Sequence, residues 1–235
     1  MAGALAQRLR EAGFAFVPAD AMRPLLAACG PLSDWQDFAS SWEALEVDEY
    51  MADRGRYRRR RHATFSAAAG GPVLRVAHQP HFQALDYNPL NGGIERWFEP
   101  IADAVAESRT LSTVLDWCHA LFGGLSPGHD WHVEVHQFRI EAQGSDAGQP
   151  TPEGMHRDGV DYVLVLLVHR HNIDSGTTLI GNAADGFFDS FTLVDPLDAA
   201  LVDDHRVFHG VTPVSAHHPS APAHRDVLVV TFRKK

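Results

Sequence analysis

A histidine and an aspartate separated by one residue stand just before a strand-like run. His156 and Asp158 are followed at residues 160–168 by an apolar segment rich in valine and leucine. On an extended backbone, side chains two positions apart point to the same face, so an imidazole and a carboxylate would lie side by side. Iron(II) sites of the facial-triad type use two histidines and one carboxylate and leave the other coordination positions open. The motif therefore predicts two of the three ligands of such a site.

The third ligand has to come from another part of the chain. The best candidate is His209, in a second strand-like segment at residues 206–211. With 15 histidines in the chain, an isolated His-x-Asp arises easily by chance. The strand after the motif, the distal histidine and Arg225 at the start of the last predicted strand, residues 226–232, together favour a metal site. Because arginine holds a carboxylate with two parallel hydrogen bonds, the outline is that of a 2-oxoglutarate site.

Longer stretches of the sequence resemble one protein family. They read TPEGMHRDGVDYV, LVDDHRVFHGVTPV and RDVLVVTF in the second half, and RYRRRRHATF and HQPHFQALDYNPLNGGIERWFEP in the first half. These stretches are similar to bacterial 2-oxoglutarate/Fe(II)-dependent dioxygenases of the L-isoleucine dioxygenase type, which are amino acid hydroxylases. The resemblance extends from about Ala12 to the C-terminus.

The resemblance implies a reaction and a metal centre. His156, Asp158 and His209 would bind iron(II) and form the catalytic site. The co-substrates would be 2-oxoglutarate and O2, with ascorbate as the reductant. Decarboxylation of 2-oxoglutarate to succinate and CO2 would accompany hydroxylation of a free L-amino acid with an aliphatic or thioether side chain.

The residues expected around 2-oxoglutarate come from the end of the chain. Arg225 is the predicted partner of its distal carboxylate, and Thr231 and Tyr162 are weaker candidates for the same pocket. A histidine-rich insertion at residues 215–224 separates Arg225 from the distal ligand. This insertion could hold adventitious metal, and it leaves open which basic residue faces the co-substrate.

A free amino acid brings a carboxylate and an ammonium group, so its site needs a cation, an acceptor and an apolar wall. The basic run at residues 56–61 can supply the cation from one of the arginines at 58–61, although a solvated basic face is the alternative. Glu134 illustrates the acceptor, and Phe65 or Phe82 illustrates the wall. The sequence does not decide among them.

The element pattern predicts an α+β fold in a single domain, residues 1–235. Residues 1–125 read as mainly helical support, and residues 130–235 as a double-stranded β-helix (jelly-roll or cupin-like) core. The loop at residues 142–154 is either a lid or a surface connection. Helices are predicted at residues 5–12, 21–28, 94–105 and 111–122, and from a capping box at Ser33 and Gln36. Strands are predicted at 14–17, 131–141, 160–168, 177–180, 191–194, 200–202 and 206–211, with a loop at 80–93 and turns at 172–176 and 184–186.

Composition limits the other classes of function. The net charge of −10 argues against broad binding to nucleic acid or anionic membranes. Cys29 and Cys118 are too few for a disulfide framework. No stretch approaches 18 continuous apolar residues, so we expect a soluble, cytoplasmic protein that acts on a small molecule. A homodimer is left open.

Two alternatives of other classes remain at this stage. The first is a cupin-type metal protein with non-oxidative chemistry, which would show no 2-oxoglutarate turnover. The second is a noncatalytic small-molecule binding module on the same barrel, in which the histidines are polar filler. Dependence on iron and ascorbate distinguishes the oxygenase from both.

Overall fold

The computed structural model describes residues 2–51, 57–182 and 186–235. Arg56 of the basic run and two residues of the turn predicted at 184–186 lie outside the described residues. Within the described part, helices cluster in the first half of the chain and strands dominate the second, which is an α+β arrangement. None of the described helices is long and apolar enough to cross a membrane.

The helices pack against one face of a large sheet. Their apolar side chains form one core cluster with residues from the sheet. Gly13, at φ 79°, ends the first helix and turns the chain into the first strand, as the sequence predicts. The helices are α1 (Ala2–Ala12), α2 (Ala19–Ala27), α3 (Trp35–Ser40), α4 (Asp103–Ala106) and α5 (Arg109–Leu125), with a 3-10 turn at Ser41–Ala44.

Two helix predictions are wrong in detail. Ser33 does not cap α3, because the N-cap position is Asp34, and no side chain caps that helix. The Asp34 carboxylate instead accepts hydrogen bonds from the backbone of Arg109 and Thr110 at the start of α5, at 2.7 and 2.9 Å.

The helix predicted at residues 94–105 is also wrong, since only Asp103–Ala106 is helical there. The N–H groups of Arg96 and Ile101 donate to the carbonyls of His81 and His62. Hydrogen bonds to distant segments therefore satisfy the backbone groups of this stretch in an extended conformation, although its apolar residues are spaced as in a helix.

Eight strands form the main sheet. They are β1 (Phe14–Val17), β2 (Glu46–Val47), β3 (Arg58–Ala67), β4 (Val73–Arg75), β5 (Trp131–Ala142), β6 (Tyr162–His171), β10 (Ala199–Asp203) and β13 (Ala223–Lys234). Their order in the sheet is β1-β10-β6-β13-β5-β3-β2, with β4 also paired to β3, and all pairs are antiparallel.

Two smaller sheets complete the strand content. Their strands are β7 (Ile173–Ser175), β8 (Thr177–Asn182), β9 (Gly186–Thr192), β11 (Phe208–Val211) and β12 (Val214–Ala216). One sheet has three strands in the order β11-β8-β9, and the other consists of the pair β12-β7. Most predicted strands are confirmed in place, although β6 begins two residues later than expected and β9 ends before Val194.

The two faces of the main sheet have different chemistry. On β5, Trp131, Val133 and Val135 are fully buried in the core shared with the helices. The alternate residues His132 and Glu134 line a cavity on the other face. This confirms the strand predicted at residues 131–141, whose side chains alternate between the two faces. Residues of β11 line the same cavity, so it lies between the main sheet and the smaller one.

Candidate active site

Three side chains from two segments meet at the cavity. Their ligand atoms, one from each of His156, Asp158 and His209, all lie within 4.8 Å of one another. The Nε2 atom of His156 lies 3.6 Å from one Asp158 oxygen, and Nε2 of His209 lies 3.5 Å from the other. A two-way backbone bridge of 2.9 Å bonds holds the two histidines side by side. The three residues predicted as ligands are thus brought together.

The hydrogen bond of the His156 imidazole suits metal binding. Nδ1 of His156 lies 3.0 Å from the Gly154 carbonyl, which can only accept, so Nδ1 carries the hydrogen. In the neutral ring Nε2 is therefore left as the lone-pair nitrogen on the side of Asp158, and outer partners of this kind orient metal-bound histidines. Nδ1 of His209 lies 3.9 Å from an Asp204 oxygen, which is too far for a hydrogen bond.

The charges of this group are strongly coupled. Burial lowers the pKa of His156, but the carboxylates of Asp158 and Glu153 outweigh it and raise the pKa to about 9. Burial raises the pKa of Asp158, but His156 and His209 outweigh it and hold that pKa well below its ordinary value. Without a metal, the site therefore keeps an ionised carboxylate beside a protonated imidazole, and a bound cation would replace that proton.

Asp204 holds the loop that carries the carboxylate. Its two oxygens accept hydrogen bonds from the backbone N–H groups of Asp158, Gly159 and Val160, at 2.9, 2.8 and 3.2 Å. Asp204 is buried, and burial together with Asp158 raises its pKa. This residue was not predicted from the sequence, although it stands five positions before His209 in the segment LVDDHRVFHGVTPV.

The cavity beside the three residues has a volume of about 340 Å³, which is within the range of small-molecule sites. Arg225 and Thr231 line it from β13, and both are buried. Burial and the nearby Arg170 lower the pKa of Arg225 to about 10, so it stays charged at neutral pH. Its Nε and Nη2 atoms have no hydrogen-bond partner among the described residues. A buried guanidinium with unsatisfied donors fits a ligand carboxylate.

The histidines of the insertion do not line the cavity. His224 precedes Arg225 and points to the opposite face of β13, where it contacts His169 and Asp226. His217 pairs with Asp174 at 3.1 Å. Among the histidines of the insertion and the arginine that follows them, Arg225 is the residue that lines the cavity.

The structure corrects the prediction for Tyr162. This residue shares its face of β6 with Leu164 and Leu166, in the core next to the helices. Its ring stacks on Phe122 at 4.8 Å, and its hydroxyl bonds to Ser126 at 2.9 Å. Side chains along a strand alternate between its two faces. Tyr162 therefore points away from the cavity and is not among the residues that line it.

The illustrative substrate residues divide in the same way. Phe65 is buried in the helix-side core, whereas Phe82 lines the cavity. Of the basic run, Arg58 and Arg60 line the cavity, but Arg58 is held by Asp48 at 2.7 Å. Alternate arginines of an extended run point to opposite faces, so residues 59 and 61 lie away from it.

Glu134 belongs to a second group of metal-type ligands. Its ligand atom and those of His62, His81 and His136 also lie within 4.8 Å of one another. However, Arg60 donates a 2.8 Å hydrogen bond to Nδ1 of His136. Nδ1 is therefore the acceptor, and the hydrogen sits on Nε2, the atom that faces Glu134. A metal at this position would have to displace that hydrogen next to a buried guanidinium.

A side-chain relay connects the loop after β4 to the triad. Gln83 donates to Asp158 Oδ1 at 3.3 Å, and its own oxygen accepts from Arg96 at 2.9 Å and from Asn88 at 3.1 Å. These residues were not predicted, because Gln83 and Asn88 lie in a turn-rich loop and Arg96 lies in a stretch that was wrongly predicted as a helix. Their polar type within an apolar-lined cavity is the signal that could have identified them.

The loop at residues 142–154 is fastened to the smaller sheets. Gly148 and Val214 exchange backbone hydrogen bonds of 2.9 Å, and the Thr151 hydroxyl contacts the backbone of Val211. Thr151 and Glu153 line the cavity. The loop thus forms part of the cavity wall, and its role as a lid stays a prediction.

Comparison with known proteins agrees with this geometry. A model of the family described as 2OG-Fe dioxygenase matches residues 39–231. The chain belongs to this family. It is therefore an oxidoreductase of the iron- and 2-oxoglutarate-dependent class, whose members use iron(II), 2-oxoglutarate and O2. Family membership supports the oxygenase over the two alternatives of other classes.

Relatives cover nearly the whole chain. A 3(1)-hydroxy-L-isoleucine 4-dioxygenase from Pantoea ananatis (strain AJ13355) is 28% identical over 97% of this chain and 95% of its own. A solved bsmA homolog from Methylobium petroleophilum PM1 is 38% identical, with a TM-score of 0.89 over 99% of this chain and 92% of that one. The solved IDO from Bacillus thuringiensis is 21% identical, with a TM-score of 0.81 over both full chains, and shows the same fold.

Asp204 provides a test of how the site is held. We expect Asp204→Ala to weaken iron(II) binding by about 10- to 100-fold, the usual effect of losing an outer partner of a metal site. Three backbone N–H groups would lose their acceptor, and the loop at residues 158–160 would lose its fixed position. Asp203→Ala is the matched control, since the neighbouring Asp203 carboxylate accepts a hydrogen bond from the backbone of His205 and not from the loop at residues 158–160. Equal iron affinity in the two variants, measured by anaerobic titration, would contradict this role.

Proposed function

We propose that the protein hydroxylates a free L-amino acid with an aliphatic or thioether side chain, and that it releases succinate and CO2. The observation that carries the proposal is the meeting of His156, Asp158 and His209 beside a cavity that also contains the unsatisfied Arg225. A metal centre and an anion-binding group in one cavity are what this reaction requires.

His156, Asp158 and His209 are the residues that would hold iron(II). Two imidazole nitrogens and one ionised carboxylate form a donor set typical of non-haem iron(II). When bound, the iron supplies adjacent coordination positions at which 2-oxoglutarate and O2 react. The protein's part is to orient the donors, through Gly154 and Asp204, and to leave the cavity side of the metal open.

Arg225 would bind the distal carboxylate of 2-oxoglutarate. Val227 and Val229, two and four positions along β13, line the cavity next to it and would pack against the methylene groups. Thr231 follows on the same face and offers a hydroxyl. Apolar walls exclude water from the ion pair, which strengthens it.

The amino acid substrate has two supports. The Pantoea relative acts on a hydroxylated L-isoleucine by its name, at 28% identity. The cavity also combines apolar and aromatic lining with both acidic and basic side chains, and a free amino acid carries both charges on an apolar body.

The fold class has a finer form that we also propose. The main sheet and the β11-β8-β9 sheet enclose the cavity as the two sheets of a double-stranded β-helix would. One such domain would comprise residues 1–235. Ascorbate would act as the reductant that keeps the iron in the iron(II) state.

Removal of a ligand tests the metal assignment. We expect His156→Ala and Asp158→Ala to lose stoichiometric iron(II) and 2-oxoglutarate-dependent succinate formation, because two remaining donors do not hold the metal. Far-ultraviolet circular dichroism should remain that of the wild type, and His217→Ala, which removes an exposed histidine, is the control. Wild-type succinate formation that survives chelation and exclusion of iron would contradict the assignment.

Arg225→Ala tests the co-substrate site. Removing one partner of a buried charge pair costs about 2–5 kcal/mol, or roughly thirtyfold to several thousandfold in affinity. We expect the KM for 2-oxoglutarate to rise by such a factor while iron(II) affinity is nearly unchanged. Arg59→Ala, on the opposite face of its strand, should leave that KM as it is. An unchanged KM in Arg225→Ala would assign the role to another cation.

A substrate panel tests the reaction itself. Aliphatic and thioether L-amino acids should stimulate succinate formation and gain one oxygen atom, read by mass spectrometry. D-enantiomers and N-acylated forms should react poorly, because one charged group is then misplaced or removed. Oxidation of only acylated or peptide-bound substrates would contradict the free-amino-acid proposal while leaving the oxygenase class intact.

A further inference from the structure

Glu153 presents an unsatisfied carboxylate beside the triad. Its side chain is only 10% exposed, and one oxygen lies 3.6 Å from Nε2 of His156. The other oxygen, Oε2, is buried and has no hydrogen-bond partner among the described residues. A buried carboxylate oxygen without a donor is costly, so the cavity that Glu153 lines is expected to supply one with a ligand.

Glu153 stands next to the three ligand residues and not among them. The group whose ligand atoms lie within 4.8 Å of one another contains His156, Asp158 and His209 without it. Glu153 therefore faces the space beside the metal position, which is where the substrate of the reaction has to lie.

Arg96 is an unsatisfied cation linked to the same place. It is 1% exposed, lines the cavity, and donates from Nη2 to Gln83, the residue that contacts Asp158. Its Nε atom has no partner in the described part of the chain. Burial and the charge of Arg58 lower the pKa of Arg96, and nearby carboxylates including Glu153 offset this only in part. An additional anion would therefore be stabilised here.

Three other charged residues that line the cavity are already engaged. Arg58 donates a 2.8 Å hydrogen bond from Nε to Asp48 and forms an ion pair with it through Nη2 at 2.7 Å. Arg60 is stacked 3.5 Å from the centre of the Phe98 ring and donates to His136. Glu134 has His81 at 2.6 Å and further imidazoles around it. Arg60 also has an unpartnered Nε, but its partner His136 belongs to the Glu134 group, whereas Arg96 connects to the triad.

We propose that Glu153 accepts the α-ammonium group of the substrate and that Arg96 donates to its α-carboxylate. The inference rests on the proposed function, because it names the residues by which that site recognises a free amino acid. An ammonium group supplies the donor that Glu153 lacks, and a carboxylate supplies the acceptor that Nε of Arg96 lacks. N-acylation removes the positive charge, so this pair selects free amino acids.

Binding measurements on matched ligands test the pair. The protein is loaded with iron(II) and 2-oxoglutarate without oxygen, and calorimetry compares the best L-amino acid of the panel with its desamino acid. We expect the wild type to prefer the amino acid by about thirtyfold or more, the effect of a buried charge pair. Glu153→Gln should remove most of this preference. Glu134→Gln, which alters the other carboxylate next to the cavity histidines, should retain it.

The carboxylate end has its own comparison. The same amino acid is measured against its carboxamide, which lacks the negative charge. Arg96→Gln should remove most of the preference for the acid, whereas Arg60→Gln should retain it. Glu153→Asp keeps the charge on a shorter side chain and should keep part of the preference for the ammonium group. This variant tests the role of the charge even if Glu153→Gln fails to fold.

Several results would overturn the inference. If the wild-type protein binds the desamino acid as tightly as the amino acid, the inference is wrong, and no variant is needed to show it. Loss of stoichiometric iron in Glu153→Gln would make this residue a metal ligand instead. If Glu134→Gln carries the loss, the ammonium group binds there. Hydroxylated product from the wild type together with an unchanged preference in Glu153→Gln would refute this pair alone, whereas a wild type that binds and oxidises no amino acid would refute the proposed function as well.

Discussion

The main sheet is buried on both faces: the helix side is apolar, whereas the cavity side also carries polar and charged groups. On β13 the residues that face the helices include Leu228, Val230 and Phe232, whereas Arg225 and Thr231 face the cavity. The apolar face stabilises the sheet and fixes the register of its strands. The polar face carries buried groups whose desolvation is unfavourable without partners. The burial of apolar side chains in the helix-side core offsets this unfavourable desolvation, and we propose that bound ligands supply the missing partners.

The same alternation explains what the sequence could and could not predict. His156 and Asp158 were found because they are two residues apart, and the faces of β5 follow from its regular pattern. Tyr162 was assigned to the wrong face, because the sequence alone did not show which alternate residues of β6 face the cavity. Glu153 lies in a loop without periodicity, and Arg96 lies in a stretch whose helical spacing gave a wrong prediction. Their position depends on backbone bonds to distant residues, such as the pairing of Arg96 with His81, which local sequence does not encode.

The described residues include three groups of metal-type ligands, and their surroundings distinguish them. In the triad, the Gly154 carbonyl keeps a hydrogen on Nδ1 of His156, which leaves Nε2 of the neutral ring as the lone-pair nitrogen beside Asp158. In the group around Glu134, Arg60 fixes the opposite tautomer of His136. In the group around His224, Asp226 is already held by Arg139 at 2.8 Å. Ligand proximity alone is therefore a weak criterion, and the hydrogen bonds of each ring decide which group can accept a cation.

The position of the iron is the most direct test of this account. Crystals grown without oxygen, with iron(II) and 2-oxoglutarate present, would be measured at the iron absorption edge. We expect an anomalous peak within coordination distance of His156, Asp158 and His209, with 2-oxoglutarate extending from it to Arg225. A peak among His62, His81, Glu134 and His136, with none at the triad, would contradict it.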